Sequence, residues 1–250
     1  MKVCIIIPTL NEIQGLREII SSVKPEWYDR LIILDGGSTD GTLEYAKEKQ
    51  YEVIVQKKPG MRMAYIECYE HVREDIVISF SPDGNSIVET IPLLIEKIKE
   101  GYDMVIASRY KDEAKSHDDT LITGIANFMF TSLISLFGYP YTDAMVIFRA
   151  YRRDVPERLK LNVIRKPLYE KYIGRYVSWE PLMSIRAARA KLRITEIPSD
   201  EPKRIDEDHK GYILPTSRTN HFKAGFACLF QLIEEFVFSL ISLFPRQLLI

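Results

Sequence analysis

Three polar loops, each lying between an apolar run and a helix-like stretch, constrain the fold of this chain more than any other feature. The loops span residues 8–12 (Pro-Thr-Leu-Asn-Glu), 35–42 (Asp-Gly-Gly-Ser-Thr-Asp-Gly-Thr) and 81–85 (Ser-Pro-Asp-Gly-Asn). The run before each loop is short and rich in β-branched residues, which is typical of a buried strand. Open α/β sheets bind ligands at the carboxyl ends of parallel strands, so the three loops together predict a nucleotide site.

Strand and helix patterns alternate regularly through the first half of the chain. The predicted strands are Lys2–Ile7, Arg30–Leu34, Glu52–Gln56, Asp75–Phe80 and Asp103–Ala107. The predicted helices lie near Ile13–Val23, Gly41–Lys49, Met61–Val72 and Val88–Glu100. This alternation indicates an α/β fold with right-handed crossovers, in which helices cover both faces of a mostly parallel central sheet.

The second half of the chain is less regular. The predicted elements there are a helix at Thr120–Phe137, a strand at Tyr141–Phe148, a helix at Trp179–Lys191 and a strand at Leu192–Ile197. Two charged stretches poor in apolar residues, Lys111–Asp119 and Ser199–Gly211, are predicted to be surface loops. Each follows a predicted strand, so both are candidates to cover the site.

Composition excludes several classes of protein. The chain has 250 residues, of which 46% are hydrophobic, enough for the core of one large domain. Its formal net charge of −1 argues against a nucleic-acid binder, which needs a clustered basic surplus. Cys4, Cys68 and Cys228 are far apart and odd in number, which favours a reducing compartment over a disulfide framework. The N-terminus enters a strand pattern with no secretion leader, so we expect a cytoplasmic protein.

The C-terminal segment, residues 216–250, is rich in aromatic and aliphatic side chains. Glu234 and Glu235 interrupt it, and a membrane span would bury this pair at a cost of several kcal/mol, so a transmembrane helix is rejected. An amphipathic helix packed on the domain or on a second subunit is expected first, and a helix in a membrane interface second. We therefore expect a homo-oligomer, with possible contact at the inner face of the membrane.

Carboxylates dominate the predicted site. The glycine-rich dinucleotide fingerprint and the Walker lysine loop are both absent from the sequence, whereas the loops supply Glu12, Asp35, Asp40 and Asp83. Carboxylates accept hydrogen bonds from a ribose diol or a base N–H, but they repel a diphosphate unless a divalent cation lies between them. The pattern thus suits a nucleotide whose diphosphate is bound through a metal.

Seven ordered stretches carry a resemblance to a known family. They are residues 8–12, 35–42, 59–64, 81–92, 103–110, 142–150 and 196–210, with Thr142-Asp143, Phe148-Arg149-Ala150 and Glu196-Ile197-Pro198 among them. In this order the chain resembles family 2 glycosyltransferases of the GT-A fold, close in pattern to the dolichyl- and polyprenyl-phosphate sugar transferases. The resemblance covers roughly residues 3 to 215 and implies sugar transfer from a nucleotide diphosphate donor, usually with inversion.

The resemblance also assigns residues to the donor site. Those implied to bind the donor are Pro8, Leu10, Glu12, Asp35, Gly60, Arg62 and Asp83. Strand-end packing is an equal explanation for Pro8 and Leu10, and helix capping or surface charge is the alternative for Glu12 and Asp35. The family usually has Asp-x-Asp at the metal loop, whereas this chain has Ser81 and Asp83. Asp83 alone is then expected to anchor Mg²⁺ or Mn²⁺, unless residues 81–85 form only a β-turn.

Three further residues are implied to be catalytic. Asp143 aligns with the Thr-Asp of the family pattern, as a general base or an acceptor-orienting residue; a buried pair with Arg149 or Arg109 is the alternative. Arg204 and Lys210 match a cation pair that offsets charge on the departing diphosphate, and a solvated charge run is the alternative. His209 precedes Lys210, and a metal role for it is less expected than none.

The expected protein is a metal-dependent glycosyltransferase with a domain at residues 1–215, divided into a nucleotide-binding half, 1–110, and an acceptor-side half, 111–215. The resemblance favours a UDP-sugar donor and leaves the acceptor open between a polyprenyl phosphate and a sugar hydroxyl. A non-catalytic nucleotide-sugar-binding scaffold that has lost the first metal carboxylate is the rival hypothesis. A nucleotidyltransferase is disfavoured because the glycine-rich basic phosphate loop is missing.

Overall fold

A seven-stranded mixed sheet forms the centre of the protein. The computed structural model describes residues 1–163, 179–205 and 228–237. The strands are β1 Val3–Thr9, β2 Arg30–Asp35, β3 Glu52–Val55, β4 Ile76–Ser79, β5 Met104–Ser108, β6 Arg149–Arg152 and β7 Ile194–Pro198. Their order is β3-β2-β1-β4-β6-β5-β7. β6 is antiparallel to both of its neighbours, and the other pairs are parallel.

Helices lie between the strands, as the sequence predicts. They are α1 Ile13–Ile19, α2 Thr42–Glu48, α3 Met61–Tyr69, α4 Ile91–Lys99, α5 Leu121–Ser135, α6 Val155–Arg158 and α7 Trp179–Arg189. Residues 228–237 are also helical and are called α8 here. Short 3₁₀ turns occur at Ile20–Ser22, Pro25–Trp27 and Val88–Thr90.

The core has two apolar layers, one on each face of the sheet. Every residue of β1 is buried, and its side chains alternate between the two layers, with Cys4 and Ile6 in one and Ile5 and Ile7 in the other. A strand buried on both faces is a continuous apolar run rather than an alternating one, which is why the sequence pattern located β1 correctly. The mostly parallel sheet flanked by helices is confirmed.

The strand predicted at Tyr141–Phe148 is wrong. That segment is irregular, and the strand in this part of the chain is β6, which begins at Arg149. The cause is Asp143, whose Oδ1 accepts hydrogen bonds from the backbone N–H groups of Met145 and Val146 at 3.2 and 3.3 Å. A side chain that binds the backbone two and three residues on stabilises a turn in place of a ladder.

The two charged loops predicted beside the site contact each other. Ser116 and Glu201 form a parallel β-bridge, and the N–H of Lys115 donates to Asp200 Oδ1 at 2.9 Å. Ser199–Gly211 is described only as far as Ile205. In that part, backbone pairing joins the two loops into one wall.

The C-terminal segment is described only at residues 228–237. There α8 packs on α7: Glu235 accepts hydrogen bonds from Arg186 and Arg189 at 2.6 and 2.7 Å, and Leu232 is buried. Phe230, Ile233 and Phe236 on the same helix are about half exposed. Among the residues described, none of the helices is both long enough and apolar enough to span a bilayer.

Candidate functional site

A cleft of about 630 Å³ opens at the carboxyl ends of β1, β2 and β4. Six of the predicted site residues line it together: Pro8, Leu10, Glu12, Gly60, Asp83 and Arg204. Asp35, Arg62 and Asp143 are buried and do not line it. Lys210 and His209 lie outside the described residues.

Glu12 is positioned by hydrogen bonds between the first two polar loops. Its backbone N–H donates to Thr42 Oγ1 at 2.9 Å, and the side chain of the preceding Asn11 accepts from the N–H of Thr39 at 2.8 Å. Asp40 accepts the N–H of Ile13 at 3.1 Å and so caps the first turn of α1 from the neighbouring loop. These contacts fix the end of β1 against the start of α2, with Glu12 at the cleft wall.

Asp35 is fully buried and accepts hydrogen bonds from residues of its own loop. Its Oδ1 accepts from the N–H groups of Gly37 and Ser38 at 2.9 and 3.0 Å, while its Oδ2 accepts from the hydroxyls of Ser38 and Thr9 at 2.5 and 3.2 Å. A carboxylate with four such donors is already well satisfied. Asp35 therefore holds the end of β2 in shape, and the neighbouring Gly36 provides the cleft surface.

Gly60 and Arg62 stand at the start of α3. Gly60 adopts a φ of +108°, in the region that favours glycine, and turns the chain from the cleft wall into the helix. Arg62 is buried behind it, where its Nη2 donates to the carbonyl of Val163 at 2.7 Å. Gly60 is thus at the cleft, and Arg62 lies behind it and holds the chain at Val163.

The Asp83 loop is shaped by two close approaches. Gly15 of α1 lies so near that a Cβ there would be 2.2 Å from the carbonyl oxygen of Pro82. Gly84 has a φ of +85°, and a Cβ there would be 2.6 Å from Ile205. The N–H of Ile205 also donates to the carbonyl of Asp83 at 3.0 Å. The loop is therefore held from both sides, with Asp83 at the cleft wall.

Arg204 lies between two carboxylates. Its Nε is 3.6 Å from Asp83 Oδ2 and 3.0 Å from Asp118 Oδ2. Burial raises the pKa of the Asp83 carboxyl above its ordinary value, although the Arg204 guanidinium opposes the rise. The predicted leaving-group cation and the predicted metal ligand are therefore in direct electrostatic contact.

Arg109 was not among the predicted site residues, yet it lines the cleft. It binds Asp143 through two side-chain hydrogen bonds, Nε to Oδ2 at 2.6 Å and Nη2 to Oδ1 at 3.1 Å. Its Nη1 is 3.3 Å from Glu201 and 3.8 Å from Asp119. The strand-end rule gives a signal for Arg109, because it directly follows β5 at the same edge of the sheet.

Glu196 of β7 anchors the segment that carries Asp143. The Glu196 carboxylate accepts hydrogen bonds from the backbone N–H groups of Thr142 and Asp143, at 2.9 and 2.8 Å respectively. Burial raises the pKa of Glu196, and these two donors oppose the rise. The chain from Glu196 through Asp143 to Arg109 runs from the sheet to the cleft, and only its last member reaches the cavity.

The family of the chain follows from a direct comparison. A sequence model described as Glycosyl transferase family 2 matches residues 4–159, more than half of the chain. The chain belongs to this family. The match includes all three polar loops of the first half together with Arg109 and Asp143.

Two curated relatives carry the comparison further. The dolichol-phosphate mannosyltransferase of Pyrococcus furiosus is 36% identical over 176 residues, which are 66% of this chain and 50% of that protein. Glycosyltransferase AglJ of Haloferax volcanii is 30% identical over 154 residues, 61% of this chain and 50% of that protein. The chain matches about half the length of each of these relatives.

A solved structure shares the fold. Glucosyl-3-phosphoglycerate synthase from Mycobacterium tuberculosis, crystallised with Mn²⁺, uridine diphosphate and glucosyl-3-phosphoglycerate, has a TM-score of 0.64. The match covers 94% of this chain and 79% of that chain at 17% identity. The predicted GT-A fold is confirmed for this member of family 2.

The residues of the Asp83 loop suit a cation that takes few protein ligands. In the described ranges, no three His, Cys, Asp or Glu side chains are grouped to hold a metal. Asp83 presents one carboxylate to the cleft, with Ser81 and Asn85 beside it. Mg²⁺ commonly binds through one or two carboxylates together with water and substrate phosphates, and a single Asp83 is compatible with that mode.

Proposed function

We propose that this family 2 protein transfers a sugar from a nucleotide diphosphate donor, UDP-sugar being favoured, to a polyprenyl phosphate, with inversion. The observation that carries the proposal is the pairing of charges across one cleft. Two acidic residues, Glu12 and Asp83, line it together with two basic residues, Arg109 and Arg204. A donor with a neutral sugar and a charged diphosphate, and an anionic acceptor, need both kinds of group.

The donor base and ribose are assigned to the wall formed by the first loop and the start of α3. Pro8, Leu10 and Gly60 line this wall without charge, and Glu12 is the acidic residue that lines it with them. A carboxylate accepts two hydrogen bonds from a vicinal diol, which suits the ribose. Asp35 and Arg62 are assigned a supporting role, since their side chains hold the strand end and the helix start from behind.

Asp83 is assigned to a divalent cation, Mg²⁺ or Mn²⁺, bound to the donor diphosphate. Such a cation would supply charge neutralisation on the phosphoryl oxygens. The relative with a similar fold was crystallised with Mn²⁺, which supports this assignment by analogy. The protein holds this buried carboxylate in place because Gly15 packs against Pro82 on one side of the loop and Ile205 binds the carbonyl of Asp83 on the other.

Arg204 is assigned to the departing nucleotide diphosphate. It lies 3.6 Å from Asp83, so its guanidinium is within reach of a diphosphate that occupies the space in front of that carboxylate. A cation there stabilises negative charge that grows as the glycosidic bond breaks. Lys210, outside the described residues, is proposed to join it.

Arg109 and Asp143 favour a phosphate acceptor over a sugar hydroxyl. A hydroxyl needs a general base, whereas a phosphate is already ionised and needs a cation that positions it. Both oxygens of Asp143 are occupied by Arg109, and the carboxylate does not line the cleft. We therefore assign Asp143 to acceptor orientation through Arg109. The Pyrococcus furiosus relative is named a dolichol-phosphate mannosyltransferase, which supports the same acceptor class.

The test is a transfer assay with a panel of nucleotide sugars and a polyprenyl phosphate in detergent, with and without Mn²⁺. Thermal shift first selects the donor, since a true ligand raises the unfolding temperature. Formation of a glycolipid together with nucleotide diphosphate is the expected result. Donor binding without turnover on any acceptor would favour the non-catalytic scaffold, and transfer only to a free sugar would reject the phosphate acceptor.

A homo-oligomer formed through the C-terminal segment is proposed as the resting state. The half-exposed Phe230, Ile233 and Phe236 of α8 support it, because one helix face already packs on α7. Light scattering on the full chain and on a chain that ends after residue 235 tests this. The same number of subunits in both chains would reject it.

A further inference from the structure

The two carboxylates that hydrogen-bond to Arg109 hold it in different ways. Asp143 accepts from Nε and Nη2 at 2.6 and 3.1 Å and does not line the cleft. Glu201 accepts from Nη1, which is 3.3 Å from each of its two oxygens, and it lines the cleft with Arg109. Hydrogen bonds between charged groups are usually about 2.7–2.9 Å long, so the Glu201 contact is a long one. The close contact therefore lies away from the cleft, and the longer contact lies at the cleft wall.

The Glu201 carboxylate has two further donors besides Arg109. Ser116 Oγ donates to Oε2, and Asn85 Nδ2 donates to Oε1 at 3.2 Å. The backbone of Glu201 is fixed separately, because its N–H and its carbonyl both pair with residues 115–117. A buried carboxylate that loses every donor is costly, but Glu201 keeps two donors when it leaves Nη1. The side chain can therefore release Arg109 while the paired loops stay in place.

The charge around Nη1 of Arg109 opposes a further anion. The carboxylate of Asp119 lies 3.8 Å from this nitrogen, in addition to that of Glu201 at 3.3 Å. Glu201 is 6% exposed, and its burial raises the pKa of the carboxyl while the Arg109 guanidinium opposes the rise. A phosphate that approaches Nη1 is repelled by the carboxylate that already binds there. Phosphate and Glu201 thus compete for one N–H edge.

We propose that Glu201 holds the place of the acceptor phosphate on Arg109 and is displaced from Nη1 when that phosphate binds. The inference rests on the proposed function, which assigns Arg109 to an anionic acceptor. Carboxylate and phosphate oxygens accept from the same edge of a guanidinium, so one replaces the other without a change in geometry.

This competition also selects for charge. The incoming group must bind Arg109 more strongly than the carboxylate that it replaces. A phosphate monoester carries nearly two negative charges at neutral pH, whereas a phosphodiester or a carboxylate carries one. Glu201 therefore favours a monoester acceptor over singly charged anions, at the expense of affinity. It is a positioning residue, since it acts through Arg109.

The test is calorimetric titration of the full chain with inorganic phosphate at pH 8. Glu201→Gln keeps the shape of the side chain and removes the charge that competes for Nη1. A hydrogen bond between charged groups corresponds to at least about tenfold in binding, so the variant should bind phosphate about tenfold more tightly than the wild type. It should also gain affinity for dimethyl phosphate, which carries one charge. A purely structural role for Glu201 predicts weaker binding or none of these gains.

Two control variants separate displacement from a general effect of charge. Asp119→Asn removes a charge at a similar distance from Nη1, but Asp119 does not line the cleft. It should gain no more than about threefold, the part that comes from the electric field alone. Glu100→Gln removes an exposed carboxylate on the surface, paired with Lys97, and should bind phosphate like the wild type. All variants should unfold at the wild-type temperature, and Glu201→Ser, too short to reach Arg109, replaces Glu201→Gln if that variant fails to fold.

Equal or weaker phosphate binding in Glu201→Gln would overturn the proposal, and so would an equal gain in Asp119→Asn. The variant Arg109→Met separates this failure from that of the proposed function. If Arg109→Met abolishes phosphate binding and Glu201→Gln brings no gain, only the displacement of Glu201 is rejected. If Arg109→Met leaves phosphate binding unchanged, or if neither the wild type nor Glu201→Gln binds phosphate, the assignment of Arg109 to the acceptor fails and the displacement of Glu201 fails with it.

Discussion

Breaking the Arg109–Asp143 pair should destabilise the protein far more than breaking an exposed ion pair. Asp143 is fully buried and Arg109 is 13% exposed, and they share two charge-assisted hydrogen bonds. Such bonds are worth about 1.5–3 kcal/mol each, and removing one partner of a buried pair costs about 3–5 kcal/mol. Glu201 and Asp119 still face Arg109, so we expect a loss near 3 kcal/mol for Asp143→Asn.

A double-mutant cycle isolates the pair from other effects of each substitution. Urea unfolding of Asp143→Asn, Arg109→Met and the double variant should give a coupling free energy of about 2–3 kcal/mol. The matched control is Arg158 and Asp103, an ion pair with a 2.8 Å contact in which Arg158 is 43% exposed. Its coupling should stay below about 1 kcal/mol.

Equal coupling for the two pairs would refute the reasoning that burial strengthens the Arg109–Asp143 contact. A second result would change the role of Asp143. If Asp143→Asn keeps wild-type stability and loses kcat with a flattened pH profile, Asp143 is a general base. If Arg109→Met and Asp143→Asn both raise the KM for the acceptor, the positioning role stands.

Three further substitutions separate the other roles. Asp83→Asn should abolish the Mn²⁺-dependent part of donor binding in calorimetry. Because burial raises the pKa of Asp83, protons compete with the metal at a higher pH than they would at an exposed carboxylate. The affinity of the wild type for the donor with Mn²⁺ should therefore begin to fall at a higher pH on acidification than it would with an exposed carboxylate. Unchanged Mn²⁺ dependence would remove Asp83 from the metal. Glu12→Gln should weaken donor binding about tenfold even without metal, whereas Asp35→Asn should lower the free energy of unfolding by about 1–3 kcal/mol. Equal losses of stability in the two variants would reject the assignment of Glu12 to the ligand and of Asp35 to the loop structure. Arg204→Gln should reduce kcat by about 100-fold with a smaller effect on donor Kd, and a loss of affinity alone would contradict the leaving-group role.

The sequence was sufficient to predict the first half of the fold, because its strands are buried on both faces and its polar loops have fixed places at strand ends. It predicted that Glu12, Asp35 and Asp83 lie at the ends of neighbouring strands: Glu12 and Asp83 follow β1 and β4, and Asp35 is the last residue of β2. It did not predict which way each carboxylate points. Asp35 turns into its own loop, where Gly37 and Ser38 supply donors, and that choice depends on local backbone geometry rather than on residue type.

Two other features, the irregular Tyr141–Phe148 segment and the orientation of α5, could not be predicted from the sequence because they depend on three-dimensional contacts. The Tyr141–Phe148 segment has the composition of a strand, but Asp143 binds its backbone and delays pairing until Arg149. The same carboxylate orients Arg109, from far away in sequence, and so brings a cation to the cleft. A helix at Thr120–Phe137 was expected and α5 forms there, but its apolar pattern does not tell inside from outside. In the structure α5 buries Asn127, Thr131 and Ile134, and Thr131 accepts the N–H of Ala144.

The position of β6 between β4 and β5 has a consequence for the order of folding. Among the strands of the described residues, β5 pairs only with β6 and β7, both of which come later in the chain. While the chain is being synthesised, β1 to β4 can pair as they emerge, but β5 must wait without a partner until Arg149–Arg152 is inserted beside it. Nonlocal pairing of this kind is slow and leaves strand edges open in the meantime. Nascent chains that end soon after Ser108 should therefore depend most on chaperones.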